Sequence, residues 1–577
     1  MSTFSADLGE TTWRRLTRRL RYLYGDDRGD ELTARVAMIV HRHLLSRNRT
    51  VDGSLWTERD AVLITYGDSL QVPGEPPLAT LMSFLLEHLP GVVSTIHLLP
   101  FFPYSSDDGF SVIDYRMVNP ELGTWDDIDA IAGHFDLMFD FVLNHVSRES
   151  LWFNDYLEHM PPGKDFFIEV DPSENLATVV RPRSSPLLVE IRTRHHVRHV
   201  WATFSHDQID LNYANPDVLL AMLEILLFYV RQGARILRLD AVAFLWKELG
   251  TPCVHLPRTH AVVKLFRDIL DDLEPGCVLL TETNVPHAEN IRYFGDGDEA
   301  HMVYQFALPP LLLHAIHTGN AGYLQGWARS LDEPPQGCTY LNFTASHDGI
   351  GLRPLEGIIP QDEVDGLLDA MRARGGFVST RLNTEGREVP YELNISLFDA
   401  VADPGDGSWQ VARFLLTQTV ALSLRGVPAV YIHSLLATPN DVAGVERTGR
   451  IRSINRRKWD VRELDRLLAE PGSAHARVLA EYRRRLSLRR AQPAFHPDAP
   501  QVVPDTGEGV LCVVRGRDTG PQRLACLFNF TAGEQRVPLA VLPREGDLPT
   551  DLLAGKPVAV DRGMLNLGPY ESLWIPC

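Results

Sequence analysis

Eight stretches of the chain combine a run of hydrophobic residues with polar residues at the end of the run, and segments with helical spacing lie between them. Short apolar runs of this kind are typical of buried β-strands, and their alternation with helices indicates parallel strands joined by right-handed crossovers. Eight is the number of strands that closes a (β/α)8 TIM barrel. The predicted strands are residues 61–70, 92–102, 135–145, 234–244, 277–284, 302–308, 339–348 and 427–436.

The polar residues of four runs fall at the ends of the predicted strands. They are "DFVLNH" (140–145), "RLD" (238–240), "TET" (281–283) and "ASHD" (345–348). Because the active site of such a barrel is built at the carboxyl ends of its strands, we expect these segments to meet at one mouth. The two-residue period of a strand also puts Arg238 and Asp240 on the same face.

The pattern divides the chain into three parts around this barrel. Residues 1–55 have helical spacing and form a predicted N-terminal helical extension. The barrel is predicted over 56–490, with an insertion domain after strand three at 146–210 and a long loop region at 350–425 that includes one helix. Short alternating runs split by Gly and Pro predict a C-terminal β-sandwich domain at 491–577.

The composition of the chain argues against some classes of function. The chain has 577 residues, of which 44% are hydrophobic and 23% charged, as in globular proteins. A formal net charge of −19 argues against a nucleic-acid binder, which needs clustered basic residues. The apolar run at 218–230 is too short to span a bilayer and contains Glu224, so no membrane segment is expected. Six cysteines without paired spacings, and a charged N-terminus, favour a cytoplasmic protein.

Two carboxylates at neighbouring strand ends are the minimum that cleavage of a glycosidic bond requires, and Asp240 and Glu282 are the best candidates for this pair. Adjacent strands lie about 4.8 Å apart, which is compatible with the carboxyl separation of about 5–5.5 Å in a retaining site. Arg238 is expected to hold Asp240 ionised through a charge-assisted hydrogen bond. Glu282 needs a pKa raised by burial to carry a proton at neutral pH, and Asp348 offers a third carboxylate for the developing charge.

Each of these features alone has an ordinary structural explanation. An isolated Arg-x-Asp is most often a structural ion pair, and single "TET" or "HD" segments are common. Their joint occurrence at strand ends, in barrel order, is what favours an active site. The residues concerned are Asp140, Asn144, His145, Arg238, Asp240, Glu282, His347 and Asp348.

The segments "DFVLNH", "RLDAVAF", "ETNVPH" and "ASHDGIG" together resemble the four signature regions of the α-amylase superfamily, glycoside hydrolase family 13. The resemblance implies that Asp240 is the nucleophile, Glu282 the general acid/base and Asp348 the stabiliser of the transition state. It also implies glucosyl-binding roles for the residues Arg238, His145 and His347.

Three flanking stretches resemble the sucrose phosphorylase branch of that family. They are residues 97–115, 203–213 and "RSINRRKW" at 452–459. The resemblance implies that Asp107 and Arg452 bind glucose hydroxyls, that Phe110 lies beside the anomeric centre, and that Gln208 reaches in from the insertion domain. The implied partners are a small glucoside and inorganic phosphate.

Within that branch, residues 281–295, 298–315 and 346–360 resemble the glucosylglycerate phosphorylases, and sucrose 6'-phosphate phosphorylases share much of the last stretch. The expected substrate is 2-O-α-glucosylglycerate, with α-glucose 1-phosphate as product. Both families use an anionic acceptor, for which the candidates are Arg181, Arg183 and Arg353. Surface arginines bound only by water are the alternative for each.

Other functions stay open at this point. They are sucrose 6'-phosphate phosphorylase, sucrose phosphorylase, a retaining α-glucoside hydrolase, and a non-catalytic amylase-like scaffold, the last disfavoured because all three acidic residues are present. No dinucleotide fingerprint, phosphate-binding glycine loop or paired-histidine zinc motif occurs, so no cofactor and no metal are expected. A homodimer is compatible with the sequence.

Overall fold

The architecture is that of a computed structural model. It describes residues 8–43, 53–194, 196–383, 387–403, 405, 407–517, 520, 522–542 and 550–577. Residues 1–7 and 44–52 of the predicted N-terminal extension therefore lie outside the described residues.

Eight parallel strands close into a barrel, and they are the eight strands predicted from the sequence. Each strand pairs with its neighbours in chain order, and the last closes on the first, with Val62 opposite Ala429. The predicted fold class is therefore confirmed. The strands are β1 Val62–Thr65, β2 Thr95–Leu98, β3 Asp136–Val142, β4 Ala234–Asp240, β5 Val278–Thr281, β6 Met302–Tyr304, β7 Thr339–Phe343 and β8 Val427–Tyr431.

Helices surround this barrel and fill the connections between its strands. None of the helices in the described ranges combines the length and the hydropathy that a bilayer crossing requires. The helices are α1 Glu10–Tyr24, α2 Asp26–Arg42, α3 Pro77–His88, α4 Trp125–Ala132, α5 Leu151–Glu158, α6 Pro216–Arg231, α7 Pro257–Leu273, α8 His287–Asn290, α9 Leu308–Thr318, α10 Gly322–Ser330, α11 Gln361–Ala373, α12 Leu397–Ala400, α13 Gln410–Ser423, α14 Ile432–Leu435, α15 Val442–Thr448, α16 Val461–Ala469 and α17 Ala474–Arg490.

Strand register places the polar residues of the barrel mouth side by side. Asp140 on β3 lies opposite Arg238 on β4, and Val142 lies opposite Asp240. All three charged side chains belong to residues that are at least nine-tenths buried. Since a buried charge is stable only when it is paired, the register already requires an ion pair between Asp140 and Arg238.

Helices α1 and α2 form an antiparallel hairpin on the outside of the barrel. Gly25, at φ 89°, adopts a conformation that favours glycine and lets the chain reverse between the two helices. The hairpin packs on α6 and α7. Arg19 Nε lies 2.5 Å from Asp268 Oδ2 on α7 and anchors the hairpin there.

The segment that follows β3 contains two antiparallel strand pairs. His145–Ser147 pairs with Gln208–Asp210 at the barrel mouth, and Leu188–Arg192 pairs with Val197–Trp201 further out. The outer part has a small core of Val170, Val179, Leu187 and Trp201, to which Cys253 is added from the loop between β4 and α7. These contacts support our proposal that residues 146–210 form an insertion domain.

Residues 350–425 hold more regular structure than the hydrophobic pattern indicates. Besides helices α11, α12 and α13, they contain a three-stranded antiparallel sheet of Ile350–Gly351, Phe377–Leu382 and Glu388–Asn394. The strand Phe377–Leu382 is only half-buried and carries Ser, Thr and Arg, so it lacks the apolar run that marks the barrel strands. This sheet brings Glu392 to the barrel mouth.

The chain after α17 is built from β-strands. One sheet contains Gln501–Val502, Val510–Arg515, Leu524–Asn529 and Ser572–Pro576, and a second contains Gln535–Pro538, Val560–Asp561 and Met564–Leu567. A separate core joins the two sheets through Val510, Cys512, Leu527, Leu565 and Ile575. We therefore propose residues 491–577 as a C-terminal β domain.

Candidate active site

A cavity opens at the carboxyl ends of the barrel strands. Ten of the thirteen residues proposed from the sequence line it, although they come from eight separate segments of the chain. These ten are Asp107, Phe110, His145, Arg183, Gln208, Asp240, Glu282, His347, Asp348 and Arg452. An eleventh, Arg238, lies buried beneath the cavity at 3% exposure.

Arg238 is bonded to two carboxylates at once. Its Nη1 donates to Asp140 and, at 2.9 Å, to Asp240 Oδ1, while Nη2 lies 4.0 Å from Asp348 Oδ2. The guanidinium also faces the ring of Phe110, with Cζ 5.6 Å from the ring centroid. Arg238 therefore fixes the orientation of the Asp240 carboxylate with a charge-assisted hydrogen bond, as expected from the strand period.

Asp240 and Glu282 are linked through the backbone between their strands. Ala241, at a left-handed φ of 50°, donates its N–H to Glu282 Oε2 at 2.9 Å. Glu282 N–H in turn donates to the Leu239 carbonyl at 3.2 Å. The unusual backbone conformation immediately after Asp240 thus holds Glu282 beside it.

Both carboxyl groups of this pair hold protons more tightly than exposed acids do. Burial raises the pKa of Asp240 to about 7, against the opposing effect of Arg238. Burial also raises the pKa of Glu282 to about 7, and the Asp240 and Asp348 carboxylates add to the rise. Because Arg238 bonds to Asp240 and Glu282 has no such cation, a single proton shared by the pair is held preferentially by Glu282.

Asp348 is ionised. Burial works to raise the pKa of Asp348, but His347 and the arginines around it lower that pKa below its ordinary value. Arg452 makes the shortest of these contacts, with Nη1 2.6 Å from Asp348 Oδ1. Burial lowers the pKa of His347 to about 3, so its imidazole is neutral and the charge of Arg452 is the main cause of the shift at Asp348.

Polar and aromatic groups form the wall of the cavity near Asp107. Gln208 Nε2 donates to Asp107 Oδ2 and to the Phe110 carbonyl, at 3.3 Å each. His145 Nε2 lies 2.9 Å from the same carbonyl. The ring of Phe110 stacks on the imidazole of His347 with 4.8 Å between centroids. Such a mixture of a flat apolar surface and fixed hydrogen-bonding groups suits a sugar ring.

The three arginines proposed for an anionic ligand lie in different places. Arg183 lines the cavity, with Cζ 5.4 Å above the ring of Tyr391. Arg181 is outside the lining and donates to the Ser185 carbonyl. Arg353 is also outside it and is near Glu289 and Glu356, at 4.0 and 3.8 Å. Of the three, only Arg183 is brought to the site.

Glu392 and Tyr391 are among the cavity-lining residues that sequence reasoning missed. Glu392 lies in the three-stranded sheet and accepts both Nε and Nη2 of Arg452, at 3.0 and 2.7 Å. Its neighbour Tyr391 lies under Arg183. The available signal was a charged residue between apolar ones in "VPYELN" (389–394), which indicates a buried and therefore paired charge.

Among the residues that the structure describes, no group of three or more His, Cys, Asp or Glu side chains is arranged to hold a metal ion. Three of the carboxylates at the cavity, those of Asp240, Asp348 and Glu392, are instead paired with Arg238 or Arg452.

A closed (β/α)8 barrel with carboxylates around a cavity at its mouth defines the class of barrel enzymes that act on glycosidic bonds. Residues 87–328 match the family model described as alpha amylase, catalytic domain. The chain belongs to the α-amylase superfamily, glycoside hydrolase family 13, and to its sucrose phosphorylase branch. The family assignment made from the sequence motifs is confirmed.

Individual relatives support this assignment. A glucosylglycerate phosphorylase of Spirochaeta thermophila is 49% identical over 526 residues, which cover 89% of each chain. One of Escherichia coli is 45% identical over 524 residues, covering 90% of this chain and 92% of that protein. The crystal structure of sucrose 6F-phosphate phosphorylase from Thermoanaerobacter thermosaccharolyticum has the same fold, with a TM-score of 0.71 at 24% identity, covering 82% of this chain and 94% of that one.

Proposed function

We propose that the protein is a retaining glucoside phosphorylase. It transfers the α-glucosyl unit of 2-O-α-glucosylglycerate to inorganic phosphate and releases α-glucose 1-phosphate and glycerate. The observation that carries the proposal is the identity of 45–49% with glucosylglycerate phosphorylases over nearly the whole chain. The carboxylate pair of Asp240 and Glu282 at one cavity supports the same chemistry.

In the first step Asp240 attacks the anomeric carbon and Glu282 donates its proton to the departing glycerate oxygen. The bond from the anomeric carbon to that oxygen breaks as the β-glucosyl ester of Asp240 forms. The hydrogen bond from Arg238 keeps Asp240 oriented for attack. Glu282 supplies the proton because burial raises the pKa of its carboxyl group to about 7.

In the second step a phosphate oxygen attacks the anomeric carbon of the ester and Asp240 leaves as a carboxylate. Glu282, now ionised, accepts the proton of the phosphate, so the enzyme returns to its starting state. Two inversions at one carbon give an α-product from an α-substrate. Asp348, ionised by its pair with Arg452, stabilises the positive charge on the sugar ring in both steps.

We assign the phosphate and the carboxylate of glycerate to the side of the cavity near Arg183. This guanidinium lies over Tyr391 and forms no ion pair with any carboxylate of the described residues. A planar guanidinium binds phosphate or carboxylate through two parallel hydrogen bonds. Arg183 is therefore available to an anionic acceptor as well as to phosphate, whereas a neutral fructose or glycerol acceptor has no need for such a charge.

The proposal is tested by incubating the protein with α-glucose 1-phosphate and one acceptor at a time, while phosphate release is measured. The acceptors are glycerate, fructose, fructose 6-phosphate and glycerol. Fast release with glycerate alone is the expected result. Preference for fructose 6-phosphate or fructose would make the enzyme a different phosphorylase. Equal release of glucose from the glucoside with and without phosphate would make it a hydrolase.

We also propose a cytoplasmic location and a homodimeric assembly. No disulfide joins any of the six cysteines, all of which lie in the described ranges, and this suits a reducing compartment. Leu151 and Met38, exposed at 72% and 43%, line one surface cleft and offer apolar area for a second subunit. Light scattering of the purified protein measures the assembly directly, and a monomeric mass at micromolar concentration would contradict it.

A further inference from the structure

Asp107 and Asp108 form an unusual turn beside the active cavity. Both have left-handed backbone conformations, with φ of 53° and 48°. Gly109 follows at φ 112°, and a Cβ at that position would lie 2.6 Å from the Pro100 carbonyl oxygen. Left-handed conformations are unfavourable for residues with a side chain, so contacts elsewhere must stabilise this turn.

The two aspartates of the turn point to different places. Asp107 lines the active cavity, where its carboxylate accepts a hydrogen bond from Gln208. Asp108 is absent from that lining and faces a second cavity, which Arg456 and Tyr66 also line. One side chain of the turn is thus available to a ligand, and the other is available to hold the turn.

Arg456 connects this turn to the segment that carries His347 and Asp348. Its Nη1 donates to Asp108 Oδ2 at 2.5 Å, and its Nε donates to the His347 carbonyl at 2.7 Å. The guanidinium lies over the ring of Tyr66, with 5.7 Å from Cζ to the centroid. Tyr66 in turn contacts the His347 imidazole edge-on at 5.9 Å. Arg456 is only 9% exposed, so these bonds are protected from water.

Arg456 joins the turn of Asp107 and Asp108 to the segment of His347 and Asp348, and both segments contribute to the wall of the active cavity. Phe110, two residues after Asp108, stacks on His347 with an interplanar angle of 5°. A change in the distance between the two segments would therefore move Asp107, Phe110 and His347 together. An arginine suits this task because its fork donates to two acceptors in a fixed geometry.

We propose that Asp108 and Arg456 are positioning residues, whose ion pair holds Asp107 and His347 against the bound glucosyl unit. Neither residue lines the active cavity, and the closest approach of Arg456 to its carboxylates is 3.9 Å, from Nη2 to Asp348 Oδ1. Their contribution is to keep the Asp107 carboxylate in place despite the unfavourable turn, so that its hydrogen bonds to the sugar are formed without reorganisation. The inference rests on the proposed function, because the glucosyl unit is its ligand.

The test is a double-mutant cycle on Asp107 and Asp108. The variants Asp107→Asn, Asp108→Asn and the double variant are assayed for kcat/KM with α-glucose 1-phosphate and glycerate. If Asp108 acts through Asp107, Asp108→Asn lowers kcat/KM on the order of tenfold to a hundredfold, and the double variant is no worse than Asp107→Asn within about twofold. Independent structural damage would multiply the two losses instead, and that result would overturn the proposal.

A matched control comes from the next arginine in the chain. Arg457 bonds to Glu463 and covers Trp459, outside the cavity lining. Arg457→Gln is expected to keep kcat/KM within about twofold of the wild type, since surface ion pairs contribute little. An equal loss in Arg457→Gln and Asp108→Asn would show a general disturbance of this segment and also overturn the proposal.

Two further measurements separate the possible failures. If Asp108→Asn does not fold, Arg456→Lys replaces it, since lysine keeps the charge and loses the second hydrogen bond; wild-type kcat/KM in that variant would overturn the proposal. If the wild type makes no glucose 1-phosphate, the proposed function is wrong. Calorimetry of glucose binding then tests the positioning role of Asp108 by itself. Equal glucose affinity in the wild type and Asp108→Asn would then reject it.

Discussion

Asp240, Glu282 and Asp348 differ in protonation because the arginines at the site are not shared equally. Asp348 has Arg452 at 2.6 Å, and Asp240 has Arg238 at 2.9 Å, which it shares with Asp140. Glu282 accepts a hydrogen bond from one backbone N–H. The positive charge beside the carboxyl group therefore decreases from Asp348 to Asp240 to Glu282. The tendency of the carboxyl group to ionise decreases in the same order.

Asp240→Asn is expected to lower kcat by about a thousandfold or more while stabilising the fold above neutral pH. The carboxyl group has a pKa raised to about 7 in the folded state, above its unfolded value. The folded protein therefore binds more protons between the two values, and its stability falls as pH rises through that window. The amide of Asn at position 240 does not titrate, so the variant does not lose stability as the pH rises through this window. Thermal unfolding should show a Tm a few degrees above wild type at pH 8 and no gain at pH 4; a lower Tm at pH 8 would contradict the assigned burial.

Glu282→Gln is expected to remove the alkaline limb of the pH profile of kcat/KM. In the wild type this limb reports loss of the proton that Glu282 donates, with the pKa of that group raised to about 7. The amide cannot donate, so turnover of glucosylglycerate falls on the order of a hundredfold to ten-thousandfold, while the acid limb from Asp240 remains. α-Glucosyl fluoride, whose leaving group needs no proton, is the control and should lose far less activity. An unchanged alkaline limb would assign that pKa to another group.

Arg183→Gln is expected to raise KM for phosphate about tenfold, because one charge-assisted pair to a dianion is lost. Arg353→Gln is the matched control, since Arg353 lies outside the cavity lining beside Glu289 and Glu356. Initial rates of phosphorolysis at varied phosphate concentration measure both. A larger effect in the Arg353 variant would place the anion elsewhere.

The N-terminal hairpin of α1 and α2 packs on the two helices that flank β4, the strand that carries Arg238 and Asp240. It packs on α6, which leads into β4, and on α7, which follows it. Tyr24 donates its hydroxyl to the Tyr213 carbonyl at 2.9 Å, and Tyr213 donates to the Leu143 carbonyl at the end of β3. The hairpin thus restrains both helices beside β4.

Arg19→Ala is expected to lower the free energy of unfolding by about 2–4 kcal/mol. Asp268, 3% exposed on α7, would lose its closest cation and keep only the more distant, half-exposed Arg15 at 3.4 Å. Arg14→Ala is the control, since the pair of Arg14 with Glu10 is exposed and worth less than about 1 kcal/mol. Urea unfolding measures both, and equal effects would show that the anchor to α7 is not specific.

Taken as a whole molecule, the C-terminal β domain is attached to the barrel through buried polar contacts. Trp574 Nε1 donates to Ser423 Oγ at 2.8 Å, at the end of α13, which leads into β8. Arg515 donates to the Ser423 carbonyl at 3.0 Å and is fully buried. Through these contacts the C-terminal β domain stabilises the end of α13 and thereby the barrel.

Trp574→Ala is expected to lower the free energy of unfolding by about 3–5 kcal/mol. Its ring is completely buried against Phe495, so truncation leaves a cavity and removes one of the two hydrogen bonds of the Ser423 hydroxyl, which still donates to the Thr419 carbonyl. Trp409→Ala, at a tryptophan that is 38% exposed, should cost much less. Unfolding followed by fluorescence and by activity should give one transition in both variants. Activity lost well after the fluorescence change would show that the domain is dispensable for the barrel.

The sequence by itself determined the barrel and the three carboxylates that we propose as its reactive groups. Strand periodicity and the position of polar residues at strand ends are local properties, and barrel topology then places those ends at one mouth. Only the tertiary structure decided which charges pair. Arg452 with Glu392 and Arg456 with Asp108 join residues 60 and 348 positions apart, across loops whose paths no periodicity specifies. For the same reason the sequence offered three candidate arginines for the anionic ligand, and of these three the folding of their loops brings only Arg183 to the cavity.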